Sequence, residues 1–344
     1  MCPMKVAVDA MGGDHGPGVV VEGAVNAARE HGIEVILVGQ ADVLSALLNQ
    51  YNAGLLPISI KHASQVVGMD ESPSDSLRRK KDSTIKVAFE LLASGQADAV
   101  VSAGNSGATL ATAMVTLGRI HGVRPAIATL IPTLKEPAIM IDVGANVDCK
   151  PIHLLQFGLM GAVFAQVRLQ KTAPRVGLLS IGEEDSKGNQ QVKKAYDLLV
   201  ASPLNFVGNV EGREVFKGDV DVIVCDGFVG NICLKLSEGL AESMIEMMKK
   251  EMAVSLAAKT GYLLAKTALH RFKKRVDYAE YGGAPLLGVS GVVIICHGRS
   301  GAKAMKNAIC VASEMAQADI ISRLKVALEE QQDGVGGALC SPGL

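Results

Sequence analysis

Short apolar runs alternate with stretches of helical periodicity along nearly the whole chain. The runs "KVAVDA", "EVILVG", "ISIKHA", "DAVVSAG", "AIATLIPT", "AIMIDVG", "RVGLLSIG", "NFVGNV", "DVIVCDG" and "GVVIICHG" predict strands. Between them, stretches such as "GVVVEGAVNAAREHG" and "STIKVAFELLASGQ" predict helices. Strand and helix in alternation predict an α/β fold with a largely parallel sheet covered on both faces. No Pro- or Ser-rich linker divides the pattern. Residues 1–330 are therefore expected to form a single domain, with the Gly-rich 331–344 as a flexible tail.

One long stretch departs from the alternation. Residues 242–275, "ESMIEMMKKEMAVSLAAKTGYLLAKTALHRFKKR", predict two helices hinged near Gly261. The apolar "AVSLAA" and "YLLA" lie beside Lys259, Lys266, Arg271, Lys273, Lys274 and Arg275. A protruding hairpin of this composition can pack as a dimer bundle, and its tip can touch a membrane surface.

In open α/β sheets the ligand crevice lies beyond the carboxyl ends of the strands. Read in order, those ends carry "DAMGGDHGP", "SAGNSGA", "DVGANVDCKP", "SIGEEDSKGN" and "CDGFVGNICLK". In "SAGNSGA", Gly104, Asn105, Ser106 and Gly107 form a strand-to-helix turn. Glycine lets a ligand approach the backbone there, and the helix N-terminus offers unpaired N–H groups. One such turn is equally an ordinary tight turn. Five on one edge of one sheet are expected to wall a single anion-binding cleft.

Two of the loops carry side chains suited to chemistry. "GEEDSKGNQQ" supplies Glu183, Glu184, Asp185 and Lys187, with Gly188 and Asn189 marking a nearby helix start. A lysine at a strand edge can hold phosphate or polarise a carbonyl, whereas the acids read equally as a solvated loop. In "CDGFVGN", Asn231 is expected at or near a helix N-cap with its amide facing the crevice, and Asp226 anchors the loop or orients a ligand. Arg78, Arg79, Lys80 and Lys81 form a basic cluster that can collect an acidic partner or remain a solvated charge run. His297 follows an apolar run and, alone, reads as structural.

Composition removes several alternatives. The 344 residues carry a formal net charge of −1 and only 3% aromatics with no Trp, which argues against extended nucleic-acid binding. Seven cysteines without a CxxC pair read as packed thiols of a reducing cytoplasm, and no HExxH or other metal motif stands out. No signal peptide and no apolar run of membrane-spanning length is expected. P-loop, GxGxxG and GxSxG signatures are missing, which disfavours a P-loop kinase, a Rossmann dinucleotide site and a hydrolase elbow.

Together, "VAVDAMGGDHGP", "SAGNSGA", "DVGANVDCKPIHLLQF", "GLLSIGEEDSKGN", "FVGNVEGR", "VCDGFVGN" and "GGAPLLGV" resemble the bacterial phosphate acyltransferase family of phospholipid synthesis, PlsX. The resemblance runs from about residue 4 to about residue 315, with "DSTI" and Ile152 as mild departures. It implies a three-layer α/β/α fold like that of phosphotransacetylase or isopropylmalate dehydrogenase, in a homodimer. It implies transfer of a long-chain acyl group from acyl-[acyl-carrier-protein] to inorganic phosphate without a cofactor. The acyl phosphate would feed a membrane glycerol-3-phosphate acyltransferase, and the enzyme would sit in the cytoplasm against the inner face of the membrane. Lys187 and Asn231 match the residues regarded as catalytic in the family. Around them, substrate contacts are expected from Asp9, Gly12, Gly13, Asp14, Gly104, Asn105, Ser106, Gly107, Asn146, Lys150, Asp226 and Gly230. The cluster Arg78–Lys81 and the basic end of the hairpin are candidate docking points for the acidic carrier protein.

Phosphate is already a nucleophile at neutral pH, so this chemistry needs positioning and oxyanion stabilisation rather than a Ser–His pair. Direct attack in a ternary complex is the expectation. Two other readings stand beside it: a short-chain phosphotransacylase using acyl-coenzyme A, and a non-catalytic membrane-associated ligand-binding protein. A decarboxylating dehydrogenase on the same fold is disfavoured by the missing metal-binding Asp cluster and dinucleotide fingerprint.

Overall fold

The structure, a computed structural model, describes residues 4–276 and 280–339. The chain opens with β1 (Lys5–Asp9), α1 (Pro17–His31), β2 (Glu34–Gly39), α2 (Ala41–Gln50) and β3 (Ile58–His62). It continues through α3 (Pro73–Arg79), α4 (Thr84–Ala93), β4 (Ala99–Ser102), α5 (Ser106–Thr116), β5 (Ala126–Ile131) and β6 (Ala138–Ile141). Then follow α6 (Pro151–Arg168), β7 (Val176–Ser180), α7 (Gln190–Val200), β8 (Phe206–Glu211) and β9 (Val222–Val224). The last elements are α8 (Gly227–Ala253), α9 (Leu256–Val276), β10 (Ala284–Leu287), β11 (Val292–Ile295), α10 (Ala302–Gln317) and α11 (Ile320–Leu339). Every strand expected from the sequence forms. β10 is the addition: "GAPLLGV" reads as a backbone-rich turn, and four residues containing a proline carry too little pattern to mark a strand.

All the strands join one 11-stranded sheet in the order β3-β2-β1-β4-β11-β10-β5-β6-β9-β7-β8. Pairing is parallel except at β11–β10, β10–β5 and β5–β6. The sheet therefore consists of two parallel blocks that run in opposite directions. This corrects the expectation of five loops on one edge. The loops after β1 and β4 leave one block, and those after β6, β7 and β9 leave the other. Register brings the two sets together. Ile295, the end of β11, pairs with Ala284; Leu286 of β10 pairs with Ile127; and Ala128 pairs with Ile141, the end of β6. The carboxyl ends of the two blocks thus meet at nearly the same height on β10 and β5.

Alternation along the strands sorts the core into layers. Val6, Val8, Val101, Ile139, Ile141 and Leu178 face a continuous core under α1, α6, α10 and part of α11. On the other face Ala7 and Val100 meet α4 and α5, while Met140, Leu179 and Ile223 form a smaller separate core. Between these two small cores the strand β5 is incompletely covered, with Ile127 and Thr129 half-buried.

The hairpin of α8 and α9 has its break at Val254–Ser255 rather than at Gly261, which lies inside α9. Ser255 caps α9: its Oγ accepts from the Ala258 N–H at 3.1 Å and its carbonyl from Lys259 at 3.0 Å. A serine can satisfy the unpaired amides of a new helix, whereas one glycine only lowers helix stability by about 1 kcal/mol. On α8, Phe228, Ile232, Leu236, Leu240, Met244 and Met247 are exposed at helical spacing along one face. At the foot of the hairpin Arg275 donates to the carbonyls of Thr133 (3.0 Å) and Leu134 (2.6 Å). Among the described residues no helix is long and apolar enough to cross a membrane. α11 continues through 331–339, while 340–344 of the expected tail lie outside the described residues.

Candidate active site

The uncovered stretch of β5 floors a cavity of about 1130 Å³ roofed by α8. Ile127, Thr129 and Ile131 form its floor, and Leu240, Met244, Ile245 and Phe272 contribute from the hairpin. Loops from both parallel blocks reach it: Ser106 after β4, His297 and Ser300 after β11, Gly144 after β6, and Asn231 in α8. A mainly apolar chamber with convergent polar groups at the strand ends suits a ligand with an apolar body and a polar reacting end.

The loops of the first block are packed backbone to backbone. A Cβ on Gly12 would lie 2.7 Å from the Gly104 nitrogen and 2.7 Å from Asp9 Oδ2, so this contact needs glycine. Gly13 has φ +93°, and the Asp14 N–H donates to the Gly298 carbonyl at 2.8 Å. Asp9 is fully buried and accepts from Ser102 Oγ at 2.9 Å. Burial pushes its carboxyl above the ordinary carboxylate range, against the pull of its hydrogen bonds. Asn105 caps α5 by accepting from the Ala108 N–H at 3.0 Å. Its Nδ2 meets the carbonyls of Gly68, Met69 and Glu71 at 3.3, 2.8 and 3.0 Å. Its amide is committed to holding this loop. Ser106 and Gly107 are exposed at the start of α5.

The second block is organised by Asp142, a residue that sequence reasoning quoted within "DVGAN" but did not single out. It is fully buried and accepts from the N–H groups of Ile127, Gly144 and Ala145 at 3.0, 3.1 and 3.0 Å. Its Oδ2 accepts from the Asn146 backbone N–H and from Nδ2, both at 2.8 Å. An aspartate at a strand end before glycine was the available signal. Gly230 packs so closely that a Cβ would fall 1.9 Å from the Asp142 carbonyl oxygen. Gly227 donates its N–H to the Asn146 carbonyl at 2.8 Å.

Asp226, not Asn231, is the N-cap of α8, with Oδ1 accepting from the Val229 N–H at 2.9 Å. The cap forms at the first residue whose side chain can reach back to the free amides, and Asp226 comes before Gly227. Asn231 lies one turn into the helix against Gly144 and lines the cavity. Asn146 is buried and serves the Asp142 network, while Lys150 is exposed at the N-cap of α6.

Lys187 is exposed on the loop between β7 and α7 and is not among the cavity's lining residues. It lies on the same strand-end edge as the loops after β6 and β9. Its stem covers Gly182, where a Cβ would meet Lys187 Cγ at 2.8 Å. Asn209 Nδ2 donates to the Glu184 carbonyl at 2.8 Å, and Asn189 caps α7 through the Val192 N–H at 2.9 Å. In the basic cluster, Lys80 is half-buried and bound to Glu71 (2.5 Å) and the Val66 carbonyl (2.6 Å). Arg78, Arg79 and Lys81 are exposed.

Cys296 and Glu238 also line the cavity. Burial holds the Cys296 thiol up at about 12 and Cys149 at about 11, which keeps both protonated near neutrality. Burial also raises the Glu238 carboxyl, opposed by the charges of His297 and Arg299. Cys149, Cys225, Cys233, Cys296 and Cys310 are free thiols. Among the described residues no group of three or more His, Cys, Asp or Glu is arranged to hold a metal ion.

The sequence profile of the family described as "Fatty acid synthesis protein" matches residues 4–323. A phosphate acyltransferase of Syntrophotalea carbinolica is 58% identical over 320 residues, 93% of this chain and 92% of the relative. A phosphate acyltransferase of Geobacter sulfurreducens is 55% identical over 329 residues, 95% of each chain. Among solved structures, a phosphotransacetylase from Streptococcus pyogenes superposes with a TM-score of 0.64 at 18% identity, covering 92% of this chain and 94% of that one. A branched-chain phosphotransacylase from Enterococcus faecalis gives a TM-score of 0.56 at 13% identity, covering 91% of this chain and 99% of that one. These two likenesses bear out the expected α/β/α fold.

Proposed function

This chain belongs to the fatty acid synthesis protein family of phosphate acyltransferases, and from that membership we propose long-chain acyl-[acyl-carrier-protein] as the acyl donor. The chain is an acyltransferase that moves an acyl group to phosphate for phospholipid synthesis. The observation that carries the choice of a long acyl chain is the apolar cavity of about 1130 Å³, with Ser106, Gly144 and Asn231 at its polar end.

In this reading the alkyl chain lies in the cavity between β5 and α8, and the thioester carbonyl stays near Asn231. A phosphate oxygen attacks the carbonyl carbon, the tetrahedral intermediate collapses, and the carrier thiolate leaves. Bringing the two anionic and polar reactants together is the main demand, and fixed donors meet it without reorganisation. Asn231 and Lys187 are assigned to the oxyanion and to phosphate orientation, Lys187 reaching in from the neighbouring loop. Gly12, Gly13, Gly104, Gly107 and Gly230 allow the close loop packing. Asp9, Asn105, Asn146 and Asp226 hold these loops, and Asp14, Ser106 and Lys150 are the polar groups left at their surfaces. The protonated Cys296 favours direct attack over an acyl-cysteine intermediate.

The exposed stripe of α8 supports a homodimer built on the hairpin, and the turn at Val254 supports peripheral contact with the inner membrane face. Acyl phosphate made there is near a membrane glycerol-3-phosphate acyltransferase. Residues 1–330 act as one unit in this reading. Arg78, Arg79 and Lys81 remain the proposed docking points for the carrier protein.

The donor is tested by comparing kcat/KM for palmitoyl-acyl carrier protein and palmitoyl-coenzyme A at saturating phosphate. The reading predicts a preference of at least about 100-fold for the carrier protein, the size that one docked interface supplies. Preference for a short-chain acyl-coenzyme A would replace it with the phosphotransacylase reading.

A further inference from the structure

A second pocket, of about 460 Å³, opens where α6 begins. Arg119, His121, Arg124 and His153 line it together with the backbone between 119 and 124, and no carboxylate does. The loop is held firmly. The Ile120 N–H donates to the Gly288 carbonyl at 3.0 Å. Gln156 accepts from the Arg124 N–H at 3.1 Å and donates to the Gly122 carbonyl at 2.9 Å.

Arg124 is also aimed. Its Nε donates to Asn146 Oδ1 at 2.5 Å. Asn146 Nδ2 in turn donates to Asp142 Oδ2 at 2.8 Å and to the Pro125 carbonyl at 2.7 Å. A buried amide thus fixes the Nε edge of an exposed guanidinium that lines the pocket. His153 Nδ1 accepts from the Lys150 N–H at 3.1 Å, which puts the imidazole proton on Nε2 as a further donor. Burial, with the charges of Arg124 and Lys150, holds this imidazole in its neutral form.

Two guanidinium groups and a neutral imidazole donor match a phosphate group, for which planar bidentate donors are the favoured partners. The volume leaves room beyond the phosphate for an organic portion. The same Asp142 that steadies Arg124 through Asn146 also binds the Gly144 N–H beside Asn231. We infer that this pocket binds an esterified phosphate: the phosphate end of the pantetheine-type arm that carries the acyl thioester. This rests on the thioester-donor reading given above. It makes Asn146 a positioning residue acting through Arg124, not a substrate ligand.

The test is direct binding, independent of turnover. Isothermal titration compares 4′-phosphopantetheine with pantetheine on wild type, Arg119→Ala, and the double variant Arg119→Ala/Arg124→Ala. Wild type is expected to prefer the phosphorylated probe by about tenfold or more, the value of a charged phosphate contact. The double variant should bind both alike, Arg119→Ala should fall between, and the KM for inorganic phosphate should change less than about twofold. Arg119 is exposed, so Arg119→Ala should keep the wild-type melting temperature, whereas the double variant leaves the buried Asn146 Oδ1 without its Arg124 donor and should melt lower while staying folded. Equal binding of the two probes by wild type overturns the inference even if no variant folds. Retained discrimination in the double variant does so as well. A large rise in KM for inorganic phosphate with discrimination intact assigns the pocket to free phosphate instead. Discrimination without turnover of any acyl thioester would leave the pocket standing and sink the donor reading.

Discussion

Asn105, Asn146 and Asp226 show how a residue named for ligand binding also holds the loop it sits in. Each uses its polar atoms on neighbouring backbone or side-chain groups. Asn105→Ala removes a helix cap and contacts to three carbonyls, so it should lower stability by about 2 kcal/mol in denaturant unfolding. Lys187→Ala should do the reverse. The side chain is exposed, so the melting temperature should hold while kcat falls about 100-fold. A pH effect belongs to Asp9. Its native pKa is raised, so its contribution to stability is fully present below about pH 4 and is lost as pH rises from there to the native pKa. Asp9→Asn should flatten that loss, and parallel stability–pH curves for the two proteins would refute the assignment. Sequence named these residues because Gly, Asn and Asp at strand ends are a visible pattern. Which atoms are already occupied depends on loops distant in the chain, such as 68–71 for Asn105, and that is not written locally.

At the scale of elements, apolar runs located all the strands except β10. β10 matters more than its length implies. Together with β5 it reverses the sheet and sets the stagger that brings two opposed sets of strand ends to one cavity. The run "APLL" carries no period of its own, so neither the reversal nor the meeting of the loops was legible. The hairpin was legible as two helices because its apolar positions repeat at helical spacing. Its turn was misplaced because Gly261 is a louder signal than Ser255, although capping rather than helix weakness decides the break. The stripe on α8 makes a prediction at this scale. Leu236→Glu with Met247→Glu, both on the stripe and away from the cavity lining, should convert the proposed dimer to monomer in light scattering, with the unfolding midpoint of the α/β core little changed. Val254→Asp should reduce co-sedimentation with anionic vesicles and leave the dimer intact.

For the whole molecule, one continuous core lies under one face of the sheet and two smaller cores under the other. The gap between the two smaller cores is the cavity. A fold built this way leaves room between its smaller cores for the proposed reaction chamber, and α8 roofs it from outside the sheet. The α/β class was readable from alternation alone, and the family from seven loop motifs. The chamber was not, because it is made by what fails to cover β5. The central claim is that these parts join an acyl group to inorganic phosphate. It is tested by thiol release from palmitoyl-acyl carrier protein with and without inorganic phosphate, for wild type and Lys187→Ala. Release is expected to require phosphate and to fall about 100-fold in the variant. Release that proceeds equally without phosphate would contradict it.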